Sequence, residues 1–230
     1  MKIAFAILAL FSFTLLQAQT ETDKRLPPMG GKWGIREAEV KDANLPSVLC
    51  VGDSILNGYL PSLRQSLDGK ANVDAWVTPV CQASGELNPT LAGILSEKKY
   101  AAIHINLGLH GWQKGRIPEG QFEPLTQKML DTLRKGAPNA TIIWASTTPV
   151  TVKGKPGELF PEINDVVVEH NRLAASVMTA NKIPINDLYT LMSSHLDLSS
   201  GDMFHWKPEG AKLQGEHVAQ IILKFISVQK

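Results

Sequence analysis

Five short apolar runs, each followed by apolar side chains at helical spacing, leave this chain little choice of architecture. The runs are Ser47–Val51, Asn72–Val77, Ala101–Leu107, Thr141–Ala145 and Ile183–Ile185. Behind the first, Ile55, Tyr59, Leu60, Leu63 and Leu67 mark a helix over Ile55–Leu67, stopped by Asp68-Gly69. Further helices are expected over Glu86–Leu95, Phe122–Leu133 and Ile163–Met178, and a last one opens at Pro208 and carries Val218, Ile221, Ile222 and Phe225. Strands without a polar face are covered on both sides, and strand–helix alternation with right-handed crossovers makes a parallel sheet between two helical layers, a three-layer αβα sandwich of about five strands. Pro149–Pro161, with three Pro, two Gly and two Lys, reads as a loop. In such folds ligands bind beyond the carboxyl ends of the strands, so the residues that follow each strand carry the functional reading.

The two ends read differently from this core. Lys2, an apolar run from Ile3 to Leu16, and Gln17-Ala18-Gln19 have the form of a secretory signal peptide, residues 1–18, cleaved after Ala18. An uncleaved N-terminal anchor is the other reading. No Cys follows the run, which argues against a lipoprotein, and no stable membrane anchor is expected. Residues 19–46, polar and containing Pro27-Pro28 and Gly30-Gly31, read as an arm lying on a domain of residues 47–230. The expected location is periplasmic or extracellular.

With 23 basic and 22 acidic residues the net charge is +1, and no basic stripe is visible, so a nucleic-acid partner is not expected. Two cysteines, Cys50 and Cys81, exclude a disulfide-built scaffold; in an exported chain they either pair or stay as buried thiols. Two Cys and six His at these spacings suggest no metal site.

The chemistry gathers at two distant places. Gly52-Asp53-Ser54 leaves the first strand and opens a helix, which sets a hydroxyl at the sheet edge near the positive end of a helix dipole. A plain helix cap explains Asp53 or Ser54 equally well at this level. Near the other end stands Asp202-Met203-Phe204-His205-Trp206. A carboxylate three residues before a His can fold back on the ring, hold one nitrogen and leave the other free as a base; an Asp-led turn with a surface His is the simpler alternative.

Together these pieces resemble the SGNH/GDSL hydrolases, over nearly the whole span from Val48 to the last helix. The resemblance implies a flavodoxin-like αβα fold, Ser54 as nucleophile, His205 as general base and Asp202 as its orienter, with no cofactor. The Gly-x-Ser-x-Gly elbow of the α/β-hydrolases is absent around Ser54. For the family's second block, a Gly whose N–H faces the oxyanion, the best match is Gly85, after Cys81-Gln82-Ala83-Ser84. The third block, normally Gly-x-Asn-Asp, reads Gly108-Leu109-His110-Gly111, so His110 stands where Asn is usual. An imidazole N–H can replace an amide N–H as donor to an oxyanion, and the Gly-Leu-His form resembles an exported bacterial subgroup.

The remaining candidates divide by position. Asn106 is out of register for the third block and reads as satisfying backbone groups at its strand end; His104 alternates with Ile103 and Ile105 and reads as a hydrogen-bonded interior side chain. His170, His195 and His217 read as structural or surface residues, and Asp187 as structural. Thr147 and Thr148 line the pocket or close a turn. Trp112 and Trp206 flank the site and suit sugar rings, or pack. The resulting expectation is a serine esterase acting on acetyl or other short-chain acyl esters of small molecules or of oligo- and polysaccharides. A lysophospholipase or lipase-type acylhydrolase and a non-catalytic glycan-binding protein on the same scaffold are the alternatives.

Overall fold

The computed structural model describes residues 31–226. The segment expected to be a signal peptide and the first part of the expected arm lie outside them. The elements are β1 (Gly34–Arg36), β2 (Ser47–Gly52), α1 (Ser54–Ser66), β3 (Asn72–Val77), α2 (Leu87–Glu97), β4 (Ala102–Asn106), α3 (Phe122–Gly136), β5 (Thr141–Ala145), β6 (Thr151–Val152), β7 (Lys155–Leu159), α4 (Pro161–Ala180), β8 (Ile185–Asn186), α5 (Leu188–Ser193), a short 3₁₀ turn (Leu196–Leu198) and α6 (Pro208–Ile226). Six strands form the central sheet in the order β1-β3-β2-β4-β5-β8. Five are parallel, with Val48 opposite both Val73 and Ala102, and Trp144 opposite Ile185. Only β1 runs antiparallel, on the outer edge of β3.

Alternation along the central strands divides the core between two helical layers. Val48 and Cys50 face α1 and α6, where Leu56, Leu63, Val218 and Ile222 bury their side chains. Leu49 and Val51 face the other way, onto Leu87, Leu91, Met129, Leu133 and Met178 of α2, α3 and α4. This is the three-layer αβα sandwich expected from the sequence.

α1 and α6, although far apart in the chain, pack closely because Gly215 supplies no side chain between them. A Cβ there would stand 2.7 Å from both the Leu63 nitrogen and the Tyr59 oxygen, and 2.8 Å from the Ser62 Cβ. Two of these neighbours are backbone and cannot turn aside. Gly215→Ala is expected to destabilise the protein by about 1–3 kcal/mol, the usual penalty of overpacking, measured by chemical denaturation. Unchanged stability would show that the two helices separate freely.

Most elements lie within a few residues of their expected limits. The Pro149–Pro161 loop is a correction: it contains the hairpin of β6 and β7, closed at Gly154 with φ +76°. Every residue of β7 is exposed, so no apolar alternation marks it. The arm also contributes β1, a three-residue strand too short to leave a periodic signal. Cys50 and Cys81 are both buried and are not joined to each other. Burial pushes the Cys50 thiol up to about 12, so it carries no thiolate near neutral pH.

Candidate active site

The first part of the site is built where β2 turns into α1. Asp53 is the N-cap of α1 and is almost fully buried. One carboxylate oxygen accepts the Ile55 N–H at 2.9 Å; the other accepts the Leu109 N–H at 3.2 Å. The cap reading of Asp53 is therefore right, and the cap does a second job, tying the Gly108–His110 segment beside the start of α1. Ser54 is then the first helical residue, and its own N–H has no acceptor within the helix. Gly52 is required just before it, since a Cβ there would come 2.7 Å from the Asn106 carbonyl oxygen.

The second part is the loop before α6. Asp202 Oδ1 accepts the backbone N–H groups of His205 at 2.8 Å and Phe204 at 3.0 Å. Its Oδ2 lies 2.6 Å from His205 Nδ1, and His205 Nε2 lies 2.8 Å from Ser54 Oγ. Burial pushes the Asp202 carboxyl up, but the hydrogen bonds from the His205 backbone, the His205 ring and the Phe204 backbone outweigh it and bring it down to about 2. The carboxylate fixes Nδ1 as the protonated nitrogen and leaves Nε2 to accept the Ser54 proton. The three side chains read from opposite ends of the sequence thus meet, in the order Ser–His–Asp.

Met203 sits at φ +93°, an unfavourable conformation for a residue with a side chain. Thr151 in β6, fully buried, holds it there: its N–H donates to the Met203 carbonyl at 2.9 Å, and its hydroxyl lies 3.2 Å from Ser199 Oγ. Gly154 N–H donates to the Gly201 carbonyl at 2.9 Å. The β6–β7 hairpin is thus a brace for the Gly201–His205 loop. Neither Thr151 nor the hairpin was visible as functional in the sequence, because the bonds that reach the Gly201–Met203 backbone end on carbonyls and start largely from backbone N–H groups.

His110 faces the same space. Burial holds its ring below the usual imidazole range; Asp53 opposes this, and Arg116, Lys32 and His205 add to it. The ring is neutral near pH 7 and carries one N–H. The edge of Trp33 meets it at 5.5 Å between ring centroids and 83° between planes. Gly108 is needed at the turn, since a Cβ there would fall on the Thr147 hydroxyl. Thr147 is buried, and Asn171 of α4 holds it by accepting its N–H at 2.8 Å and donating to its carbonyl at 2.9 Å. Gly85 lies in the exposed stretch before α2, with nothing within 4 Å of a would-be Cβ and no hydrogen bond to Ser54, His205 or Asp202.

The two flanking tryptophans separate. Trp112 stacks on Phe204, centroids 6.3 Å apart and planes 27° apart, next to the His205 loop. Trp206 turns inward, packs on the α1–α6 core and abuts Gly210. His104 is fully buried with Nε2 3.1 Å from Asn186 Nδ2, as an interior His. His217 lies 2.9 Å from Asn186 Oδ1 and so belongs to the same chain of polar contacts. Asn106 keeps its side-chain oxygen buried without a partner, which differs from the role expected at its strand end. Asp187 caps α5 and accepts the Ser146 hydroxyl, a structural role. Among the described residues no group of three His, Cys, Asp or Glu side chains is placed to hold a metal ion. No described helix is long and apolar enough to cross a membrane.

No protein-family model matches the sequence, and no curated protein matches it. Solved structures do resemble the fold. A carbohydrate esterase family 3 protein from Talaromyces cellulolyticus superposes with a TM-score of 0.66 at 13% identity, covering 81% of this chain and 100% of its own. The acetyl xylan esterase AlAXEase gives 0.65 at 13%, covering 76% and 99%. A lipase/acylhydrolase from Enterococcus faecalis gives 0.62 at 17%, covering 77% and 95%. At such identities the likeness establishes a common architecture.

Proposed function

We propose that the protein is an exported serine esterase that removes acetyl or other short acyl groups, with acylated carbohydrate as its substrate class. The observation that carries this reading is the unbroken relay from Ser54 Oγ to His205 Nε2, 2.8 Å, and from His205 Nδ1 to Asp202 Oδ2, 2.6 Å. As Ser54 Oγ attacks the ester carbonyl, His205 takes its proton and Asp202 stabilises the imidazolium. The oxyanion forms at the N-terminus of α1, where the Ser54 N–H is available, with the neutral His110 ring as a further donor. His205 then protonates the leaving alcohol, and water repeats the sequence on the acyl-enzyme. The stacked Trp112 and Phe204 give the rim a flat aromatic surface suited to a sugar ring. Esterases of acetylated xylan and other carbohydrates among the architectural neighbours support the same substrate class.

A fluorophosphonate probe is expected to label Ser54, and acetyl nitrophenyl ester to be turned over faster than the long-chain ester. No labelling would reject the nucleophile and favour a glycan-binding role. A preference for the long chain would move the assignment to a lipase-type acylhydrolase.

A further inference from the structure

We propose that Trp33, on the arm ahead of β1, is a positioning residue that aims His110 at the oxyanion, so that the arm completes the reaction centre. The inference rests on the esterase reading and specifies how one donor of that site is held.

A side chain that donates to a developing charge must be held in place beforehand. A histidine is ordinarily oriented by a hydrogen bond to its second ring nitrogen. Among the described residues His110 makes no such bond, although its neighbours Asp53 and Leu109 are firmly tied together. The described aromatic contact of its ring is the edge-on meeting with Trp33. Packing therefore fixes what a hydrogen bond does not.

Trp33 is itself anchored from several sides. It packs on the α1–α6 core. The Lys32 ammonium lies 4.6 Å from its ring centre, and Arg36 donates to the Lys32 carbonyl at 3.0 Å. The antiparallel direction of β1 explains how the arm reaches the site. Gly34, at the beginning of β1, pairs with Val77, at the carboxyl end of β3. The residue before Gly34 therefore emerges at the sheet edge where the catalytic groups gather. A parallel edge strand would have delivered it to the opposite edge.

The titratable and charged groups around the His110 ring are Asp53, Arg116, Lys32 and His205. Removing the indole admits water, which relieves the burial that disfavours the imidazolium and leaves Asp53 free to favour it. The His110 titration should then move to higher pH.

The test compares Trp33→Leu and Trp33→Phe with the wild type. Trp33→Leu is expected to lower kcat on the order of ten- to a hundredfold, with KM changing less than about twofold, and Trp33→Phe to recover most of the loss. The His110 ring signals, followed by NMR without substrate, should titrate at higher pH in Trp33→Leu. A rise in KM with kcat unchanged would make Trp33 a substrate platform and overturn the proposal. So would a fall in kcat with the His110 titration unmoved, since the tryptophan would then act elsewhere. A variant that fails to fold is bypassed by Trp33→Phe, whose His110 titration should stay at the wild-type position; a large shift there would also count against the proposal. Absence of turnover in the wild type would instead defeat the esterase reading, and the substrate-free titration tells that failure apart.

Discussion

Ser54→Ala is expected to reduce ester hydrolysis by about four orders of magnitude or more while leaving the fold unchanged. In the proposed mechanism the hydroxyl oxygen forms the covalent bond, and among the described residues Ser54 carries the hydroxyl hydrogen-bonded to the His205 ring. Its hydrogen-bond partner in the resting protein is His205, whose other nitrogen is held by Asp202, so the imidazole keeps its place when the hydroxyl is lost. Asp53, which caps the helix, is also untouched. The check is kcat/KM on an acetyl ester together with the thermal transition of both proteins. Wild-type turnover by the variant would remove Ser54 from the mechanism, and with it the proposed function.

The second large effect is expected from Asp202→Asn, about 10⁴-fold in kcat. The amide oxygen can still accept the Phe204 and His205 N–H groups, so the loop keeps its shape. The amide nitrogen, however, would face His205 Nδ1 with a donor, which drives the ring proton to Nε2 and deprives Ser54 of its base. A variant that retained full activity would show that the ring needs no carboxylate. The same group makes a pH statement. The folded carboxyl of Asp202 is depressed to about 2, so its contribution to stability is present above the ordinary carboxylate range near 4 and is lost as pH falls through 2. Chemical denaturation of the wild type and Asp202→Asn at neutral and strongly acidic pH checks this: the stability difference between the two is expected to shrink at the acidic end, and a difference that did not change with pH would contradict it.

The sheet and its helices were legible because four buried strands and five amphipathic helices each repeat a pattern several times, whereas β8 keeps only two residues with Ile185 exposed. The three groups of the candidate site were legible because Gly52-Asp53-Ser54 and Asp202-x-x-His205 carry their chemistry in side chains at short spacing. What escaped was short, exposed, or made through the backbone. β1 has three residues, α5 has six, and β7 has no buried residue. Thr151 acts through its own N–H, and Asn171 through the Thr147 backbone, so neither announces itself by type. Asn171 did leave one trace. With Asn164 it puts an amide on the inward side of a helix whose other inward residues are Ile163, Val167 and Ala174, and Asn164 accepts the Val150 N–H at 3.2 Å. Trp33 gave no sign, because its meeting with His110 depends on which way a three-residue edge strand runs.

The close seating of Gly215 on α1 has a temporal consequence. Ser54 and His205 are 151 residues apart, and α6, which follows His205, seats Gly215 against the backbone of Tyr59 and Leu63 in α1. Loop closure over such a span comes late in folding. On the proposed function, a polypeptide emerging from the ribosome would join Ser54 to its base only once the last helix had been made and seated on the first.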